Sequence, residues 1–286
     1  MKFSVVTASY NQFPWLKRCI RSVADQTGVE IEQVIQDGGS EGIEAFYPPD
    51  TNQAASYKIR IVVEKDTGMY DALNRGLEKT DGDVISILNC DEQYLPGTLP
   101  MVAELFEKNP ETDMIVGDYL LVDCAGDLLS FRRATKLRPA MILSDHLYDF
   151  TCAMFFRRRV IDRGIRFNPA FRAAGDAEWI ARLLQSGVRV KYCRAYLAVF
   201  AVTGDNLSLK ADPAGESEQL LKITPRWATL TAPLLRQLRH IEKLLAGGYC
   251  SGPLSYEIYA GENEQRRSRF ICEKPDFRHP WNRSRF

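Results

Sequence analysis

Short runs of β-branched and aromatic residues alternate, through the first half of the chain, with segments whose apolar positions recur every three or four residues. The runs FSVVTA (3–8), IEQVIQ (31–36), YKIRIVVE (57–64) and DVISIL (83–88) read as buried strands. Between them, Leu16, Cys19, Ile20 and Val23 share one face of a helix that Pro14 can open. Tyr70, Leu73, Asn74 and Leu77 repeat that spacing before Asp81-Gly82, and Leu99, Val102, Leu105 and Phe106 repeat it before Asn109-Pro110. Strands alternating with helices predict an α/β fold with a mostly parallel sheet covered on both faces. Such a sheet binds ligands beyond the carboxyl ends of its strands.

The second half is less regular. Residues 113–118, 152–156, 188–192 and 196–202 read as strands and 176–185 as a helix, with a hairpin turn at Cys124–Asp127. An antiparallel portion therefore completes the sheet. After about residue 213 the character changes: a leucine-rich helical run (220–246) ends at Gly247-Gly248, and a tail rich in arginine and aromatics follows. The expected division is one domain over 1–212 and a C-terminal extension over 213–286.

Composition narrows the function classes. The chain is 45% apolar and 26% charged, ordinary for a globular protein. Lys+Arg and Asp+Glu both number 37, so no basic field draws it to nucleic acid. Seven scattered cysteines without CxxC pairing argue against a zinc site or disulfide framework and for a reducing, cytoplasmic setting. No apolar run reaches the roughly 18–20 residues of a membrane span, and the first strand begins too early for a signal-peptide core.

Four polar segments fall where strands are expected to end. Thr7–Asn11 can present backbone groups and the Tyr10 ring to a nucleobase, or be a plain strand-to-helix turn. Asp37-Gly38-Gly39-Ser40 offers a carboxylate backed by glycines that permit close approach of a ligand, although read alone it is an Asp-Gly turn. In the segment 64–74, Asp71 suits a helix N-terminus, whereas Asn74 is a poor helix former one turn in. Asn89-Cys90-Asp91-Glu92 ends the run DVISIL, and a carboxylate there is costly unless compensated, as by a divalent cation on oxygen ligands and substrate phosphates.

In this order and spacing the segments SVVTASYNQFPWLKRCIRSVADQT, QDGGSEG, EKDTGMYDALNRGLEKTDGD and LNCDEQYLPGTL resemble the family-2 glycosyltransferases of the GT-A fold. AAGDAEWIARLL (173–184) resembles the segment that carries that family's base, and Gly204–Ser208 a loop on the acceptor side, so the likeness covers about residues 3–210. The resemblance implies a nucleotide-binding GT-A sheet sandwiched by helices and an inverting transfer from a nucleotide-sugar donor, UDP- or dTDP-linked, to a saccharide or lipid-linked acceptor in bacterial surface-polysaccharide assembly. It implies that Thr7, Tyr10, Asp37, Asp66, Asn74 and Asn89 line the nucleotide pocket. It implies that Asp91 binds a divalent metal, Mn²⁺ or Mg²⁺, and that Asp176 is the catalytic base, with Glu178 in reserve. Asn89 stands where the family's DxD-like element has its first acid, and a histidine common before Phe155-Phe156 is replaced by Thr151 or absent.

Two other readings compete. A sugar nucleotidyltransferase needs a glycine-rich basic loop after its first strand, and Ala8–Asn11 has neither glycine nor cation. A binding module that has lost its chemistry would be consistent with Asn89, but not with retention of both Asp91 and Asp176. The tail 262–286 holds seven cations and four acids, with Phe270, Phe277, Trp281 and Phe286 interleaved. That pattern suits peripheral contact with the inner face of a membrane, or aromatics packed back on the domain with solvated arginines.

Overall fold

The computed structural model describes residues 1–46, 56–204, 206, 213–261 and 265–278. A nine-stranded sheet forms its centre, in the order β3-β2-β1-β4-β8-β6-β9-β5, with β7 on β6. The strands are β1 Lys2–Ser9, β2 Glu30–Asp37, β3 Tyr57–Val63, β4 Val84–Ile87, β5 Glu92–Tyr94, β6 Met114–Val122, β7 Leu128–Arg132, β8 Met154–Arg157 and β9 Val190–Ala201. β1, β2, β3 and β4 pair in parallel, as do β6 and β9, while β8, β5 and β7 join antiparallel. Residues 188–192 and 196–202, expected as two strands, form the one long strand β9, whose register against β6 shifts around Gly117 and Asp118.

Eight helices are described: α1 Phe13–Ala24, α2 Met69–Glu78, α3 Thr98–Lys108, α4 Pro139–Ser144, α5 Arg158–Ile161, α6 Gly175–Gln185, α7 Pro213–Ile223 and α8 Arg226–Leu245. Side-chain alternation along the strands divides the core between the two faces of the sheet. Phe3, Val5, Val84 and Phe155 join Leu16 and Ile20 of α1 and Val102 and Phe106 of α3. Val6, Ile85, Ile87 and Phe156 join Tyr70, Leu73 and Leu77 of α2 and Trp179, Ile180 and Leu183 of α6.

The leucine-rich run expected over 220–246 is two helices, parted at Thr224-Pro225 because Pro225 lacks the N–H a continuing helix requires. The tail holds a hairpin absent from the sequence reading, β10 Leu254–Ile258 with β11 Ser268–Cys272. Tyr256 and Ile258 pack it onto Leu120, Val122 and Phe131 of the main sheet. Phe270 stacks on Tyr256, and Phe277 meets Tyr249 edge-on. The tail aromatics described thus fold back on the body, while Trp281, Arg283, Arg285 and Phe286 lie outside the described residues. Helix α8 is turned the other way from an ordinary surface helix. Ala228 and Ala232 face the domain, while Trp227, Leu230, Leu234, Leu238, Ile241 and Leu245 face outward, Leu230 and Leu245 each 81% exposed.

Candidate active site

The parallel register brings Ser9 level with Asp37 and Asp37 level with Val63, so the segments after β1, β2 and β3 leave the sheet along one edge. There Tyr10, 61% exposed, Gly38 and Asp66 form one wall of a cleft of about 1950 Å³. A methyl group on Gly38 would stand 2.7 Å from Asp66 Oδ2 and 3.4 Å from the Tyr10 ring, so only glycine lets this acid and this ring meet. Asp66 Oδ1 accepts the Gly68 N–H at 2.8 Å, and burial raises its carboxyl above the ordinary value.

Three residues expected in the nucleotide pocket make other contacts in this structure. Thr7 shares the strand face of Phe3 and Val5 and is fully buried; its hydroxyl accepts Gln33 Nε2 at 3.0 Å beside Cys19 of α1. Asp37 is also fully buried, its carboxylate accepting Gly39 N–H at 3.0 Å and the Ser40 N–H and hydroxyl at 2.7 Å each. It shapes the turn that carries Gly38. Asn74 exchanges two 2.9 Å hydrogen bonds with the Phe167 backbone, fastening α2 to the loop before α6. None of the three lines the cleft.

The segment after β4 supplies the next wall. Asn89 and Asp91 open onto the cleft. Asp91 Oδ2 accepts Asn206 Nδ2 at 2.6 Å, while burial raises its carboxyl to about 6. Asn89 Oδ1 is buried without a hydrogen-bond partner. An orphaned amide oxygen beside a carboxylate with no counter-ion among the described residues suits a hard divalent cation. Among the described residues no group of three or more His, Cys, Asp or Glu gathers at ligand spacing, so substrate oxygens would have to complete the shell. Glu92 turns inward, accepting the Asn89 N–H at 2.6 Å, and burial and then Asp91 raise its carboxyl well above the usual range.

Opposite stands the N-terminus of α6. Asp176 Oδ1 accepts the Ala177 N–H at 2.8 Å, with the Tyr70 hydroxyl 3.5 Å away, and burial raises the carboxyl to about 6. A methyl group on Gly175 would lie 2.6 Å from the Tyr70 ring, so glycine lets the helix start directly over that ring. Glu178, the reserve base, is buried against Arg182 with N–O distances of 2.5 and 2.7 Å and does not line the cleft. One participant was not visible in sequence. Glu216 of α7 accepts the backbone N–H groups of Arg172, Ala173 (2.9 Å) and Ala174 (2.7 Å), pinning the loop that delivers Asp176.

The remaining walls come from the segment after α4 and from α8 and the tail. His146, beside Asp145 at 3.1 Å, reaches the cleft together with Thr151, and Arg239, Lys243, Tyr249 and Phe277 line it as well. Thr151 stands where the resemblance places a histidine before β8, and His146 lies eight residues ahead of that strand. Of the acceptor-side loop, Gly204 and Asn206 are described; Asp205, Leu207 and Ser208 lie outside the described residues.

Comparisons with known proteins agree with this geometry. A "PGL/p-HBAD biosynthesis glycosyltransferase" of Mycobacterium bovis is 30% identical over 211 residues, covering 69% of this chain and 76% of its own. An uncharacterized glycosyltransferase of Nostoc is 27% identical over 219 residues; the match takes in 73% of this chain but 64% of that relative's length. Staphylococcus aureus TarS, solved with UDP-GlcNAc, superposes with a TM-score of 0.63 at 15% identity, over 87% of this chain and 75% of its own. A mannosyltransferase of Pyrobaculum calidifontis, solved with GDP-Man and Mn²⁺, gives 0.54 at 16% identity, over 86% and 79%. Both structures share the fold, the GT-A arrangement of sheet and helices. The family model described as glycosyl transferase family 2 matches residues 4–183, nearly the whole sheet and every acid that faces the cleft from it, and the chain is a glycosyltransferase of that family.

Proposed function

We propose that the chain moves a glycosyl group, with inversion, from a UDP- or dTDP-linked sugar to an acceptor hydroxyl in polysaccharide or glycoconjugate synthesis. The observation that carries this is the convergence of Asp66, Asp91 and Asp176, from three separate segments, on one cleft. The relatives and structures bound to UDP-GlcNAc and GDP-Man support a nucleotide-sugar donor.

In this reading the base lies against Tyr10, with Gly38 letting the nucleotide come close to the backbone and Asp66 accepting from ribose or base. Asn89 and Asp91 would hold a divalent cation, whose chemistry is to offset charge growing on the leaving diphosphate. Asp176 takes the proton of the attacking acceptor hydroxyl. A carboxyl raised to about 6 is still ionised near neutrality and is a stronger base than an ordinary aspartate. With Glu178 paired to Arg182, a single base serves a single displacement. A panel of nucleotide sugars, scored by nucleoside diphosphate release with and without Mn²⁺, tests the reading. Release from no donor overturns it.

Peripheral membrane contact is better carried by α8 than by the tail. Its outward stripe presents six large apolar residues, and its charged residues are Arg226, Arg236, Arg239, Lys243 and one acid, Glu242. An apolar stripe of this length that covers nothing described suits the acyl boundary of a lipid surface. All seven cysteines are unpaired, which supports a reducing, cytoplasmic face. Co-sedimentation with anionic vesicles should fall sharply in Leu230→Ser/Leu234→Ser/Ile241→Ser. Equal pelleting of parent and variant, or none at low salt, removes this contact.

A further inference from the structure

The inward face of α8 carries charge where its outward face carries leucine. Arg239 and Lys243 reach the cleft there, beside Arg132 at the end of β7. The other cations of this neighbourhood are matched: Arg236 pairs with Asp145 at 3.0 Å, Arg138 pairs with Glu242, and Arg278 lies 3.5 Å from Asp276. Arg132, Arg239 and Lys243 are matched less well.

Arg132 donates to the Phe277 carbonyl at 3.4 Å, and Lys243 Nζ lies 4.8 and 5.7 Å from the ring centres of Tyr249 and Phe277. Among the described residues neither has a carboxylate at ion-pair distance. Arg239 lies over the Tyr148 ring at 5.1 Å and touches the crowded Asp145 only at 3.8 Å, while its Nε is buried without a partner. A further acid, Asp149, is buried, accepts the Thr135 N–H on one oxygen, and is raised by burial to about 7. Burial, then Arg132 and Arg239, pull the Lys243 ammonium down to about 8. Like charges gathered out of bulk water are costly unless an anion joins them. Aromatic faces and carbonyls soften that cost without cancelling it.

This cluster is distinct from the donor site. Its residues come from the end of β7 and from α8, whereas Asn89 and Asp91 follow β4 on another wall of the cleft. We infer that Arg132, Arg239 and Lys243 form an anion subsite of the cleft that grips a phosphoryl group on the acceptor. The inference rests on the transferase reading above, since it assigns the second substrate of that site. Guanidinium groups suit phosphate oxygens through paired donors, and a lysine adds a point charge.

The test uses the full chain with UDP and Mn²⁺ saturating, so that the donor diphosphate pocket is filled, and titrates inorganic pyrophosphate by calorimetry. Saturable binding is expected, weakened about tenfold or more in Arg239→Gln and again in Lys243→Met, as loss of a hydrogen bond to a charged group implies. Arg132→Gln serves if either variant melts early. Farnesyl diphosphate in place of pyrophosphate separates the sources: tighter binding assigns a lipid-linked acceptor, equal binding a water-soluble phosphorylated one. Pyrophosphate that binds only when UDP is absent, or that binds parent and variants alike, overturns the subsite. A chain that binds UDP but not pyrophosphate loses the subsite and keeps the transferase reading. A chain that binds neither loses both.

Discussion

Replacing Asp176 by Asn should cost activity and gain stability, and the two effects come from the same burial. The carboxyl rises from 3.8 to about 6 because the start of α6 and the Tyr70 ring strip it of water. Below about pH 4 it is neutral in the folded and unfolded chain alike. Between 4 and 6 the unfolded chain releases its proton while the folded chain keeps it, so folding loses stability as the pH climbs, and above 6 the loss is complete. A displacement of about two pH units, at about 1.4 kcal/mol each, gives about 3 kcal/mol. Because the group opens onto a wet cleft, ~1–2 kcal/mol is the better figure. An asparagine can keep the Ala177 hydrogen bond without bearing the charge. Thermal unfolding at pH 7.5 should therefore show the variant melting higher by roughly 2–8 °C, with the gap closing near pH 4. Turnover should fall about 10²–10⁴-fold while UDP binding persists, and the parent's activity should decline as the pH drops through about 6. A variant that turns over normally removes Asp176 as the base. One that melts lower at pH 7.5 shows that its charge is compensated in the fold.

Asp91→Asn should lose metal-dependent UDP binding while keeping the weak metal-free binding, since an amide brings no charge to a cation; isothermal titration with and without Mn²⁺ reads both. Gly38→Ala should weaken UDP binding at least tenfold by pushing Asp66 from Tyr10, a methyl at 2.7 Å having no room, with little change in melting. Asp37→Ala should lower stability of the ligand-free chain by about 1.5–3 kcal/mol, because it strips a charged acceptor from the 38–40 turn; unchanged denaturant unfolding would return Asp37 to the nucleotide.

Alternating periods announced the parallel sheet and the edge where the site would lie; from that edge Tyr10, Asp66, Asn89 and Asp91 reach the cleft, and Asp176 faces them from the start of α6. The departures share a cause, since periodicity says which residues share a face and not what that face meets. Thr7 stands in register with Val5, and only the placement of α1 decides that this face is packed while Ala8 turns to the cleft. Asn74 looked out of place in a helix because its partner is a backbone segment over 90 residues away. In α8 the apolar stripe was legible, yet it covers nothing described. Glu216 carried no local signal, because its role consists of amides more than 40 residues upstream.

The hydrogen bonds of Glu216 also bear on how this protein can be cut. A boundary after residue 212 looks natural in composition, but it severs the loop that leads to Asp176 from the carboxylate that satisfies three of its N–H groups. Each donor left bare costs about 1–3 kcal/mol, and together they approach the whole margin by which a domain of this kind holds together. The catalytic half is therefore not a module that can be shortened, swapped or fused at that point. Any transplanted or trimmed version has to carry the chain through α7, and natural exchange of C-terminal segments among relatives would have to preserve an acid at this one position.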